Sequence, residues 1–354
     1  MIAAFDAGGT ARLEPVSRKE TRMRWIVGAL VALLLAGGAA DTGAQGRKVK
    51  VGVLKLTSSA VLFLGQEKGY FREFGIEPEF VFFQAAQPIA VALASGDIEI
   101  GATGLTAGFY NVIAGGVPVW VVADKGREWP DHNLTALLVR RDLWDQGVRT
   151  LRDLKGRKIG VTQIGSTFHY NIGNFLDKEG MAQGDVELAP LQGLGAISDA
   201  LAARRIDAAM TAEPFVSRIE TSGTGVTIMS VGDALPWQVA VIMYSGTFAK
   251  DRARAVAFMK GYVKASRHYV DAVIRQKSGP RYDEVVAITA KYTGARPELI
   301  RKGFPYQDRD ARLLQGDVGR QLAWWWRQKL IKAPLTEKDV VDESFLRQAL
   351  REMK

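Results

Sequence analysis

The stretch IAVALASGDIEIGATGLT, residues 89–106, returns in altered form as ISDALAARRIDAAMTAEP, residues 197–214. Both copies run from an Ile through Ala-Leu-Ala to an acidic residue and then a Thr, and matching positions lie 108 residues apart throughout. Each copy has the pattern of a helix, a tight turn, a short strand and a loop of small residues that opens the next helix. Self-similarity at a constant offset predicts two structural units of similar design.

The same offset holds from residue 50 to residue 106 without a gap. Gly52 then matches Gly160, and Ser58 matches Ser166. Around each copy, strand patterns alternate with helix patterns, which predicts a largely parallel sheet with helices on its faces. Convergence of two independent lobes on similar patterns is the alternative, and it also leads to two α/β lobes.

The overall composition excludes several classes of protein. The 354 residues suffice for about two domains, and a hydrophobic content of 47% is typical of a folded globular chain. There is no Cys, and the three His are scattered, so disulfides, thiol catalysis and a metal site are not expected. The net charge of +9 is not gathered into a basic run with interleaved aromatic residues, so nucleic acid is not an expected partner.

The first 46 residues have the pattern of an upstream tail and a signal peptide. Arg22 and Arg24 precede the apolar run WIVGALVALLLAGGAA, which predicts a start at Met23 and cleavage near Ala40. The run is short for a membrane span, although an uncleaved anchor at the outer face of the inner membrane stays the alternative. We therefore expect an exported protein.

Two strand patterns indicate where the chain passes between the lobes. Residues 134–139 lead out of the first lobe, and residues 238–243 can lead back to it. The sequence thus predicts lobe 1 from residues 47–138 plus 240–354, and lobe 2 from residues 139–239. The helical segments after Thr247 are expected to pack on lobe 1. Because neighbours on a helix point about 100° apart, one or two of the tryptophans at 324–326 are expected in the core.

Ligands of open α/β sheets lie beyond the carboxyl ends of the strands, so the loops of the two lobes should meet at one cleft. These loops bring hydroxyls and backbone N–H groups at helix N-termini, which suit an anion. Aromatic side chains nearby would contact the organic part of a ligand, and two carboxylates could meet an amine. The predicted ligand-binding residues are Thr57, Ser58, Ser59, Gln84, Gly104, Leu105, Thr106, Asp124, Gln163, Gly165, Ser166, Thr167, Phe168, Thr211, Glu213 and Trp237.

Familiar catalytic motifs are not found. The sequence has no nucleophile elbow and no phosphate-binding loop ending in Lys-Ser/Thr. GLGAIS at 193–198 is a weak match to the dinucleotide fingerprint, because its last position is Ser and the preceding strand contains Pro190. No catalytic residue, cofactor or metal ligand is therefore predicted.

Six segments resemble the periplasmic solute-binding proteins of ABC importers. In chain order they are VGVLKLTSS, EKGYFREFGIEPEFVFF, ALASGDIEIGATG, VPVWVVA, LKGRKIGV and DALAARRIDAAMTAEPF. The resemblance is to the SsuA/THI5-like (NMT1) group, which includes nitrate, sulfonate, taurine and thiamine-precursor binders, and it covers residues 49–244 well. It implies a two-lobed type II clamshell with the ligand cleft between the lobes, two hinge strands, an ABC permease as partner, and a monomer.

The expected function is the binding of a small organic anion, a sulfonate or a carboxylate, and its delivery to the permease. Since Lys55 is the one basic residue near a predicted site loop, neutral donors are expected to hold the anion. A thiamine-precursor pyrimidine or similar heterocycle, paired with Glu213 and Asp124, is the alternative. An exported enzyme on the same fold, with those carboxylates as acid and base, is a further one.

Overall fold

The computed structural model describes residues 47–354. The predictions on the upstream tail, the start at Met23 and cleavage near Ala40 lie outside the described residues. Within residues 47–354, no helix is long and apolar enough to cross a membrane.

Residues 47–234 contain two successive runs of strands and helices. The first run comprises β1 (Arg47–Leu54), α1 (Ala60–Glu67), β2 (Ile76–Phe83), α2 (Ala86–Ser95), β3 (Ile100–Gly104), α3 (Ala107–Ala114) and β4 (Val119–Glu128). The second comprises β5 (Thr135–Arg140), α4 (Arg141–Asp145), β6 (Lys158–Val161), α5 (Thr167–Lys178), β7 (Glu187–Pro190), α6 (Leu194–Ala202), β8 (Ala208–Ala212), α7 (Phe215–Thr221), β9 (Gly225–Ser230) and α8 (Val231–Ala234).

A long strand and a helical tail follow. They are β10 (Trp237–Ser245), α9 (Gly246–Lys250), α10 (Arg252–Tyr269), α11 (Pro280–Thr293), α12 (Pro297–Ile300), α13 (Asp317–Arg327), α14 (Glu337–Val340) and α15 (Ser344–Glu352). Short 3-10 turns at 57–59, 72–74, 152–154 and 183–185 and a π-helical turn at 270–276 complete the described elements.

The strands form two five-stranded sheets of the same design. The first has the order β2-β1-β3-β10-β4, and the second has the order β7-β6-β8-β5-β9. In each sheet, three parallel strands are followed by one antiparallel strand that arrives from the other half of the chain. The predicted mixed α/β architecture with two lobes is confirmed.

The repeated residues perform the same tasks in both sheets. The Lys50 amide donates to the Glu99 carboxylate at 2.9 Å, and 108 residues later the Lys158 amide donates to the Asp207 carboxylate at 3.0 Å. Gly52 is also matched by Gly160, because a Cβ would lie 2.6 Å from Ile98 Cδ1 at the first and 2.5 Å from Ile206 Cδ1 at the second. The constant offset in the sequence thus corresponds to a repeated packing arrangement.

The chain crosses between the sheets twice. Strand β4 belongs to the first sheet and β5 to the second, while β9 belongs to the second and β10 returns to the first. We propose that residues 129–134 and 231–236 are the two segments that connect the lobes. The boundaries expected from the sequence, at 138/139 and 239/240, lie about four and three residues further along the chain.

Most of the tail packs on the first sheet, through Phe258, Tyr262 and Phe345 of α10 and α15. Helix α13 differs, because the Trp324 indole donates to the Asp177 carboxylate of α5 at 2.9 Å. The tail thus packs mainly on the first sheet, as expected, and helix α13 adds a contact to a helix of the second run. As the helical geometry predicts, Trp324 and Trp325 are buried while Trp326 is 47% exposed.

Candidate ligand-binding cleft

A cavity of about 40 Å³ lies between the two sheets, and both lobes contribute to its wall. Most of the wall is apolar, with hydroxyls and one amine set into it. One water molecule needs roughly 10–15 Å³ of such space, so the cavity has room for about three water molecules. The lining residues are Leu54, Leu56, Ser58, Ala85, Ala86, Thr103, Gly104, Lys125, Leu134, Thr135, Thr162, Thr167, Phe168, Leu194, Ala212, Val239 and Ala240.

The lobes contact each other around this cavity. The Ala107 amide at the start of α3 donates to the Gly165 carbonyl at 2.9 Å, and the Thr57 amide donates to the Glu213 carbonyl at 3.2 Å. Amides predicted to meet an anion are therefore bonded across the cleft in this closed arrangement. A ligand larger than a few atoms would hold the lobes further apart than they are here.

Lys125 is the basic residue of the cavity, and sequence reasoning missed it. The side chain is 2% exposed, and within the described chain its amine makes one hydrogen bond, to Ser58 Oγ at 3.2 Å. An ammonium has three N–H donors, so two are left for a ligand. Burial lowers the pKa of Lys125 to about 7, while the neighbouring Asp124 opposes that shift.

The reason for the omission is the length of β4. The sequence pattern predicts a strand that ends at Ala123, because charged residues seldom continue a buried strand. In the structure β4 continues to Glu128, and every residue from Val121 to Glu128 is buried. Lys55, the one base expected near a site loop, is exposed and lies over the Phe82 ring, with 5.3 Å from Nζ to the ring centroid.

Asp124 was predicted to contact the ligand, but the structure gives its carboxylate other partners. It accepts hydrogen bonds from the Gln238 side chain at 2.6 Å and from the amides of Gly126 and Asp308, both at 2.8 Å. The Arg127 guanidinium lies 3.5 Å away. Asp124 therefore joins β4 to β10 and to the tail, and it is not part of the cavity wall.

Several hydroxyls lie in the wall. The Thr103 hydroxyl is buried without a hydrogen-bond partner among the described residues, which leaves it free for a ligand. The Thr135 hydroxyl, in contrast, donates to Glu128 and accepts from Asn171. Thr103 matches Thr211 at the 108-residue offset, yet a ligand contact is predicted from the sequence for Thr211 and not for Thr103. The repeat was the signal that could have identified it.

Four predicted site residues line the cavity: Ser58, Gly104, Thr167 and Phe168. The twelve that lie outside its wall are Thr57, Ser59, Gln84, Leu105, Thr106, Asp124, Gln163, Gly165, Ser166, Thr211, Glu213 and Trp237. Two of them cap helices, since Thr106 accepts from the Phe109 amide at 3.1 Å and Ser166 from the His169 amide at 3.3 Å. Their hydroxyls are therefore engaged in helix capping. A hydroxyl at the start of a helix predicts this role as well as it predicts ligand contact.

Trp237 and Glu213 contact other parts of the protein and lie outside the wall of this cavity. The Trp237 ring packs on Tyr170, with 4.5 Å between centroids, in an aromatic cluster that includes Trp324 and Trp325. Glu213 faces a separate cavity of about 330 Å³ and accepts hydrogen bonds from the Ser217 amide and hydroxyl. Burial raises the pKa of Glu213 to about 7. Across residues 47–354, no cluster of three His, Asp or Glu side chains is arranged for a metal ion.

The sequence of this chain is similar to those of known proteins. Residues 42–278 match the sequence model of the NMT1-like family. The chain belongs to the NMT1-like family. A Bacillus subtilis (strain 168) protein, named as a candidate aliphatic sulfonates-binding protein, is 26% identical over 347 residues, which is 92% of this chain and 96% of that protein.

Two solved structures share the fold of this chain. The alkanesulfonate-binding protein SsuA from Xanthomonas axonopodis pv. citri, bound to MOPS, has a TM-score of 0.68 at 19% identity, covering 84% of this chain and 99% of that one. The periplasmic nitrate-binding protein NrtA from Synechocystis PCC 6803 has a TM-score of 0.72 at 16% identity, covering 88% and 90%. These likenesses show the fold of the periplasmic binding proteins.

Proposed function

We propose that this protein is an extracytoplasmic solute-binding protein that captures a compact organic anion, a sulfonate or carboxylate, between its two lobes. The observation that carries the proposal is Lys125, an amine 2% exposed at the cavity wall with one hydrogen bond to Ser58. An unpaired buried charge is costly, so a site of this kind favours a ligand that brings the opposite charge. The Ser58 and Thr103 hydroxyls would complete the anion's hydrogen bonds.

The wall supports an organic rather than a bare inorganic anion. Leu54, Leu56, Leu134, Phe168 and Leu194 face the same small space as the Lys125 amine. Apolar surface of this extent gains by covering carbon and gains little from a fully hydrated ion. The apolar contacts come from these residues, because Leu105 and Trp237, which sequence reasoning selected, lie outside the wall.

The arrangement of the carboxylates does not favour the heterocycle alternative or the enzyme alternative. Asp124 is hydrogen-bonded within lobe 1 and the tail, while Glu213 faces the separate cavity. An amine-bearing heterocycle would therefore meet Lys125 and no free carboxylate. We propose that the solute is released unchanged, to the permease of an ABC importer, by a monomeric periplasmic protein.

A binding screen of residues 47–354 tests the proposal. The panel comprises methanesulfonate, taurine, acetate, benzoate, nitrate and an aminopyrimidine. A ligand at about 100 times its dissociation constant stabilises a protein by about 2.7 kcal/mol, which raises the melting temperature by several degrees. Stabilisation by sulfonates or carboxylates alone is the expected result. Stabilisation by the aminopyrimidine alone, or by nitrate alone, would contradict the proposed ligand class.

A further inference from the structure

Lys125 is placed where its own charge depends on the ligand. Its amine is buried in a largely apolar wall and is satisfied by one hydroxyl, that of Ser58. A buried lysine with few partners favours the neutral amine, and an anion beside it favours the ammonium. The protonation of Lys125 and the binding of an anion are therefore linked at this position.

Asp124 is the charged group that acts on the pKa of this amine among the described residues. On β4 itself, Arg127 lies 3.5 Å from Asp124, and Glu128 accepts from the Leu134 amide. The turn at 57–59 carries no ionisable side chain, and on strand β10 the one titratable group is the Tyr244 phenol, which donates to the Ala255 carbonyl and whose pKa burial raises. The Asp124 carboxylate next to Lys125 is engaged by Gln238, Gly126 and Asp308. The ionisable residues on the remaining elements that contact β4 are Asp233 of α8, Glu337, Lys338 and Asp339 of α14, and Arg347, Arg351 and Glu352 of α15.

We propose that the cleft binds its anion together with one proton, which the Lys125 amine takes up as the lobes close on the ligand. This inference rests on the proposed function and adds its regulation. Affinity for an anion then falls about tenfold per pH unit above neutrality, where the free amine must first be protonated. Affinity for a neutral molecule of the same shape does not fall. The lowered pKa of Lys125, about 7, places the transition within the physiological range.

The first test needs no ligand. In the unfolded chain Lys125 titrates near its usual pKa of about 10.4, so between pH 7 and pH 10 the unfolded state binds more protons than the folded state. Wild type should therefore gain stability relative to Lys125→Met as the pH rises through this window. The ratio of their unfolding constants, measured by urea denaturation, should shift by up to about tenfold per pH unit and stay constant below pH 7. A ratio that stays constant from pH 6 to pH 10 overturns the inference.

The second test measures proton uptake on binding. Methanesulfonate is added to the protein in weakly buffered solution, without sulfonate or phosphate buffers, and the proton uptake is recorded with a pH electrode. About half a proton per bound anion is expected at pH 7, nearly one at pH 8.5 and nearly none at pH 5.5. Dimethyl sulfone, a neutral molecule of similar shape, and the Lys125→Met variant should show no uptake.

The outcomes separate the two proposals. Methanesulfonate binding without proton uptake overturns the coupling and leaves the proposed function in place. Absence of binding by methanesulfonate and by every other anion of the screen overturns both.

Discussion

A Cβ atom on Gly104 would lie 2.4 Å from the Thr167 methyl carbon, across the cleft between the two lobes. Two non-bonded carbon atoms do not approach so closely, so a larger residue at the end of β3 would force the Thr167 side chain, or the lobe that carries it, to shift. The two residues come from different sheets, and both line the cavity.

Gly104→Ala should therefore hinder closure, and it should weaken ligand binding more than it lowers the stability of the fold. Small-angle scattering with and without ligand and calorimetric titration would show this. Gly195→Ala is the matched control, because a Cβ there meets no atom within 4 Å. Adding Thr167→Ser to Gly104→Ala removes the methyl and should restore part of the affinity. Unchanged affinity in Gly104→Ala would show that the ligand is bound with the lobes apart.

Removal of the buried charge should weaken anion binding specifically. Lys125→Met keeps an unbranched apolar side chain and loses the amine, and a lost hydrogen bond to a charged group costs about 1.5–3 kcal/mol. Isothermal titration at pH 6 measures the loss. Lys55→Met removes the same charge from an exposed side chain near the first loop and should change affinity little. Equal losses in both variants would attribute the effect to overall charge rather than to the cavity.

The neighbouring tryptophans of α13 should differ sharply in their effect on stability. Trp325 is fully buried while Trp326 is 47% exposed. Trp325→Ala should cost about 3–5 kcal/mol through the cavity it leaves, and Trp326→Ala should stay within about 0.5 kcal/mol. Urea denaturation compares them. Similar costs would mean that α13 lies on the protein with a different face inward.

Glu128 should make the fold less stable as the pH rises from acid to neutral. Burial raises its pKa to about 7, and the Thr135 hydroxyl opposes that shift. Between pH 4.5 and pH 7 the folded state thus binds more protons than the unfolded state, so stability falls with rising pH by at most about 1.4 kcal/mol per pH unit. Glu128→Gln should remove this slope when both proteins are denatured in urea at pH 5 and pH 8. Parallel pH profiles would show that Glu128 is ionised throughout.

The two copies of the repeat should respond alike to the same change. Gly52→Ala and Gly160→Ala place a methyl against Ile98 and Ile206, and overpacking of this kind costs about 1–3 kcal/mol. Ile98→Val should compensate the first and Ile206→Val the second, since valine lacks the clashing Cδ1 atom. Crossed pairs, such as Gly52→Ala with Ile206→Val, serve as controls and should show no compensation. Compensation in only one lobe would mean that the repeat is conserved in pattern but not in packing.

The sequence by itself determined the two-lobed α/β design. The 108-residue offset, the alternation of strand and helix patterns and the small residues that face Ile98 and Ile206 all depend on local periodicity and close neighbours. For that reason the two α/β lobes and the burial of two of the three tryptophans could be anticipated, whereas the order of the strands within each sheet was not predicted. The placement of Ser58, Gly104, Thr167 and Phe168 at the cleft followed from the rule that ligands lie at strand ends.

Only the tertiary structure decided which groups meet inside the cleft. The sequence does not distinguish a hydroxyl that caps a helix, such as that of Ser166, from one that contacts a ligand. Both roles use a Ser or Thr at the start of a helix. Lys125 and Asp124 are adjacent in β4, yet one faces the cavity and the other is held by Gln238 and Asp308 from distant segments. Burial and long-range partners set their roles, and neither is a property of the local sequence.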